Sequence, residues 1–326
     1  MIRIVSLPLK VVTCAILVLP LSRAHADCGS IPFYAPILQP IDLVSTNDPG
    51  SNSTTRVDFD PLKVSVFEPK QRAIILWNGY EEVLLLSTDQ RATQRSAVLE
   101  VIPLPSEPKV RLGSFKTFSL AQKLVVEKRM WACAHPGAPA DLLKLPADAG
   151  RITFAEKMGA HDLAVAQVTS PSGFVDFVQG YLRDHYQTKE APIRPEFVKI
   201  IQSYLDEGYR WFAFDVIQMD GTLQSREPIE YRFFSDRVHY PLRISSLEKG
   251  ETDAELLVIT GDGAKHFEGI AERAIERQPV LGITTKEVSD LDASWAGFFH
   301  GRASVSLDQW NIKGPSSTLV RDVAVK

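Results

Sequence analysis

Residues 73–86 read AIILWNGYEEVLLL, two apolar runs of strand length that meet at Asn78-Gly79. Asn-Gly accepts the two positive φ angles of a type I′ turn, so the stretch predicts a β-hairpin with Trp77 and Tyr80 facing each other beside the turn. Working outward, residues 98–102 predict another strand, stopped by Pro103 and Pro105, and 119–131 predict a helix running into Cys133.

Beyond a break at 135–150 (HPGAPADLLKLPADAG), alternating apolar residues predict a strand at 162–168. Ser172 can cap a helix carrying Phe174, Phe177, Val178, Tyr181 and Leu182. A second helix starts at Pro195, buries Phe197, Ile200, Ile201, Tyr204 and Leu205, and stops at Gly208. Strands follow at 209–219, 229–234, 242–246 and 255–260, with Asp220-Gly221 as a hairpin dipeptide. Residues 264–277 predict a helix turning Phe267, Ile270, Ala271, Ala274 and Ile275 inward before Pro279. Hairpins and helices come in blocks and do not alternate, which points to an α+β fold with a β-rich first half (27–134) and a mixed second half (151–326).

The chain has 326 residues, 44% hydrophobic and 23% charged, with a net charge of −4, which excludes a disordered, collagenous or coiled-coil protein. No basic region is dense enough to track a phosphate backbone, so nucleic acid is not an expected partner. Arg3 and Lys10, the 11-residue apolar run 11–21 and the pattern Ala24, His25, Ala26 form a secretory signal, too short to span a bilayer, with the cut placed after Ala26. Asp27 before Cys28 argues against a lipid anchor. Cleavage takes 36 basic residues to 33 against 40 acidic ones, a net charge of −7, and no later run is long enough for a transmembrane segment. The expected location is the periplasm or the exterior. Cys14 leaves with the signal, and the remaining Cys28 and Cys133 form one possible disulfide. Closing a loop of that length is worth roughly 4 kcal/mol in the chain-entropy model.

Three stretches, AIILWNGYEEVLLL (73–86), YLDEGYRWFAFDV (204–216) and SDRVHYPLRIS (235–245), are together similar to a family of exported bacterial proteins known as domain of unknown function 2330. The likeness runs roughly from 60 to 260. It implies an exported bacterial protein and brings no catalytic residues with it. It also implies further early cysteines and often a C-terminal anchor, whereas this chain shows Cys28-Gly29 and a polar end, and its last 60 or so residues lie outside the likeness.

Signs of chemistry are sparse. His135, His161, His185, His239, His266 and His300 are scattered, and HExxH, CxxC and EF-hand spacings are missing, so neither a metal nor another cofactor is expected. GxSxG is missing too. Ser170-Pro171-Ser172-Gly173 near His161 and Asp162 reads first as a helix cap. ELLVITGDGAKHFEGI (255–270) places a strand before two glycines but has neither Rossmann nor Walker spacing, and reads as a strand-to-helix turn at Asp262 or Gly263. Asp215 is the one acid in the apolar run WFAFDVI and needs a partner, for which Arg232 and Arg243 are candidates. The leading expectation is a non-catalytic protein that binds an unknown ligand or an envelope partner. The alternative is a periplasmic hydrolase assembled from His161, His185, His239 and Asp215.

Overall fold

The computed structural model describes residues 29–36, 59–134, 161–247 and 250–326. The signal segment, Cys28 and the break at 135–150 lie outside the described residues, as does the side chain of Cys133, so the expected disulfide does too.

Before the break come β1 (Ser30–Phe33), β2 (Val66–Trp77), β3 (Glu81–Ala92), β4 (Ser96–Leu104), β5 (Lys109–Leu112) and α1 (Phe115–Ala134). After it come β6 (Asp162–Gln167), α2 (Pro171–Tyr186), α3 (Pro195–Asp206), β7 (Trp211–Met219), β8 (Gln224–Ser225), β9 (Ile229–Phe234) and β10 (Val238–Tyr240). The chain ends with β11 (Glu251–Thr260), β12 (Glu276–Arg277), β13 (Leu281–Thr284), α4 (Thr285–Leu291), β14 (Ser304–Pro315) and β15 (Val323–Val325). The architecture is α+β.

A nine-stranded sheet has the order β12-β14-β11-β2-β3-β9-β5, with β13 added on β14 and β8 on β3. Its β2–β11 pair is parallel and its other pairs are antiparallel. A four-stranded antiparallel sheet runs β1-β4-β7-β6, and β10 pairs with β15. Both larger sheets combine strands from either side of the 135–150 break.

The buried clusters define four layers. Helices α1 and α4 cover one face of the large sheet through Phe118, Leu124, Val288 and Leu291. Its other face meets the small sheet, where Ala73, Leu84 and Tyr231 share a cluster with Ile102 and Ala213. The far face of the small sheet packs Leu99, Phe212 and Phe214 on Phe174, Val178, Phe197 and Ile201 of α2 and α3. Strands covered on both faces need no polar side, which is why residues 73–77 of β2 and 83–86 of β3 are unbroken apolar runs. Each large apolar side chain so buried contributes roughly 1.5–3 kcal/mol.

Several local expectations are corrected. The hairpin at 74–86 forms, but Trp77 pairs with Glu82, so the two-residue loop is Gly79-Tyr80. Of these turn residues only Gly79 has positive φ, as in a type II′ turn, and the Asn78 carboxamide accepts from the N–H groups of Tyr80 and Glu81. Tyr80 therefore stacks on Phe234 and not on Trp77. Helix α2 is capped by Ser170, whose hydroxyl accepts from Gly173 N–H, and not by Ser172. Asp220-Gly221 does not make a hairpin, because β7 lies in the small sheet and β8 joins β3 of the large one. Residues 243–247 form a 3-10 turn after Pro241, and the strand is the short β10 before it.

Residues 264–277 form no α-helix: an irregular stretch leads to a single 3-10 turn at Glu272–Ala274 and then β12, so Gly263 opens no helix. The N–H groups of Lys265, His266, Glu268 and Ile270 donate to carbonyls of the C-terminal segment 322–326. Gly269 lies so close to that segment that a Cβ would meet the Asp322 carbonyl at 2.0 Å. The later helix is instead α4, with a complete Thr284/Glu287 capping box.

Candidate functional site

Glu100 on β4 and Asp215 on β7 stand directly opposite each other, on the face of the small sheet that looks at the large one. Leu163 of β6 pairs with Asp215, so His161, two residues earlier, shares that face and reaches Asp215 diagonally. The contact is short, with His161 Nδ1 2.5 Å from Asp215 Oδ2, and both side chains are at most 4% exposed. His161 Nε2 lies 3.0 Å from the Glu227 carbonyl. A carbonyl only accepts, so Nε2 carries a proton, and a carboxylate at Nδ1 calls for a second; the geometry suits an imidazolium. Burial pulls the His161 pKa down, but the hydrogen bond and charge of Asp215, together with the charge of Glu100, outweigh burial and the opposing Arg226, and the net shift is upward.

This pair belongs to a polar seam between the sheets. Gln90 donates to both Glu68 and Glu100, and Gln71 to Glu68. Arg226 lies alongside and donates to the Gln218 carbonyl. The cavity among Glu100, His161, Asp215 and Arg226 measures about 20 Å³, room for about one water molecule. Asp215 is therefore paired, as a buried carboxylate must be, but with His161 and not with Arg232 or Arg243.

The other two histidines join neither residue of this pair. His185 is exposed in the last turn of α2, its ring 4.6 Å from that of Tyr181. His239 is buried on β10, where Tyr209 Oη lies 3.2 Å from Nδ1 and the backbone N–H donates to Glu82 at 2.7 Å. Burial holds the His239 pKa down at about 3, a neutral ring, and raises that of Glu82. Among the described residues no group of three or more His, Cys, Asp or Glu is placed to hold a metal ion.

A roomier site lies elsewhere. A surface pocket of about 600 Å³ lies where the α3–β7 turn, the β9–β10 turn and the C-terminal segment meet, lined by Tyr209, Arg237, Arg243, Glu268, Arg321 and Asp322 among others. Asp322 holds the wall together. It accepts from Tyr204 Oη at 2.8 Å and from the Arg243 backbone N–H at 2.7 Å. Burial raises its pKa to about 6 against the pull of Arg243. The Arg243 guanidinium lies 4.0 Å over the Tyr204 ring and pairs with Glu207. On the opposite side Arg237 grips Asp236 through two hydrogen bonds of 2.7 Å, holding that carboxyl down at about 2, and also pairs with Glu268. The sequence reading did not single out this group. Asp236, Arg237 and Arg243 stand within SDRVHYPLRIS, but their partners come from residues 207–209, 268–269 and 320–324, which no spacing rule connects.

The model of a bacterial family, described as an uncharacterised protein conserved in bacteria (DUF2330), matches residues 61–276. The match covers more than half of the chain, and the chain belongs to this family. No curated protein matches it. Among solved structures, the crystal structure of baculovirus P35 matches at 10% identity and a TM-score of 0.40, over 82% of this chain and 97% of that one.

Proposed function

From membership of this bacterial family as the premise, we propose that the chain is an exported, non-catalytic binding protein of the bacterial envelope, whose ligand occupies the pocket between Arg237 and Arg243. The single observation that carries the reading is a contrast in space. The pocket offers about 600 Å³ at the surface, within the usual range for small-molecule sites, whereas the cavity at His161 and Asp215 offers about 20 Å³. Among the described residues the histidine–carboxylate contact is what favours a hydrolase, and the cavity beside it has room for about one water molecule. Export rests on the leader at 1–26, and the Cys28–Cys133 bond is part of the same proposal.

The test is to express the full chain in a bacterium, fractionate the cells, and take the intact mass of the exported form with and without reductant. The expected species begins at Asp27, has no free thiol and gains two hydrogens on reduction. A full-length chain in the cytoplasm, or two free thiols in the exported chain, overturns the export and disulfide readings respectively.

A further inference from the structure

We infer that the pocket between Arg237 and Arg243 takes a neutral, hydroxyl-rich ligand, a short oligosaccharide. This rests on the binding reading above. The walls carry four carboxylates, Glu207, Asp236, Glu268 and Asp322. Against them stand the lining arginines Arg237, Arg243 and Arg321, and Lys326, which pairs with Asp236 at 3.3 Å and lies 3.8 Å from Glu268. Four charges of each sign leave no excess for a charged ligand to neutralise.

The pairing is also mutual. Arg237 stands between Asp236 and Glu268, and Arg243 between Glu207 and Asp322, so an ion that binds at either of these two arginines displaces an existing partner. A hydroxyl group has no such conflict, because it donates to a carboxylate lone pair and accepts from a guanidinium N–H left over from the ion pair. Charged groups held in place in this way make stronger hydrogen bonds than neutral ones, and they are already oriented. Between the two clusters, Gly208, Gly269, Val320 and the half-buried Tyr209 present surfaces without charge, suited to the C–H faces of a sugar ring.

The test uses the exported chain, with calorimetric titration of cellobiose, maltose and chitobiose, and separately of inorganic phosphate and of free glycine and lysine. The expected result is binding of at least one of the sugars, little changed by added salt. It weakens about tenfold or more in Arg237→Ala and is blocked in Val320→Trp, which fills the pocket mouth without touching an ion pair. An unchanged unfolding midpoint for Val320→Trp shows that the loss is not misfolding. If phosphate or an amino acid binds instead and Val320→Trp blocks it, the sugar inference falls while the binding reading stands. If none of the probes binds, or binding survives Val320→Trp, the assignment of the pocket falls as well.

Discussion

The inter-sheet seam and the C-terminal pocket both bring arginine, carboxylate and tyrosine together, yet they differ in what can reach them. In the seam, His161, Asp215, Glu100 and Arg226 lie between the two sheets, where His161 bonds Asp215 and the Glu227 carbonyl, Glu100 accepts from Gln90, and Arg226 donates to the Gln218 carbonyl. In the pocket, Arg237 and Arg243 each stand between two carboxylates and line open volume at the surface. A histidine–carboxylate pair is a familiar sign of catalysis, and here it also links the start of β6 to β7 and to the β8–β9 connection. Access separates the two regions more than composition does.

The largest expected effect lies in the seam. Asp215→Ala leaves the buried His161 imidazolium without its carboxylate partner and should cost about 3–5 kcal/mol in urea unfolding, the usual penalty for breaking a buried pair. A loss below about 1 kcal/mol would mean that the seam is not closed. In the pocket, Tyr204→Phe removes one donor to the buried Asp322 and should cost less, about 1–3 kcal/mol by the same measurement.

The two regions should also separate by pH. The His161 pKa is raised, so its stabilisation is fully present below pH 6.5 and is lost as pH rises through the higher folded value. The Asp322 pKa is raised from 3.8 to about 6, so its contribution is present below pH 3.8 and is lost as pH rises through 6. Subtracting the pH profile of Asp215→Asn from that of the wild type should isolate the upper window, and Asp322→Asn the lower. A single shared window would contradict the assignment. The smallest effect belongs to neither region: Asp262→Asn breaks an exposed pair with Arg302 and should leave the unfolding midpoint unchanged.

Much of the scaffold was legible because local signals and packing agree. The turn at Gly79 is flanked by runs apolar enough to be covered on both faces, and α3 has Pro195 at its start and Gly208, with φ of 93°, just past its end. Residues 264–277 misled because their apolar spacing has a helical period, while their backbone partners lie in the C-terminal segment, about 55 residues further on. At Asp215 the sequence showed that a partner was required, but His161 is separated from it by two helices, and the nearer arginines looked equally suitable. The pocket was harder still, since charged residues on turns look like ordinary surface until the fold brings them together.

The claim that the seam is closed and the pocket open is tested most directly by brief treatment of the native chain with diethyl pyrocarbonate, with modified histidines located by peptide mass spectrometry. The account predicts reaction at the exposed His185, His266 and His300 and protection of His161 and His239 until the chain is unfolded. Modification of His161 at a rate close to that of His185 would contradict it, and would return the His161–Asp215 pair to consideration as reacting groups.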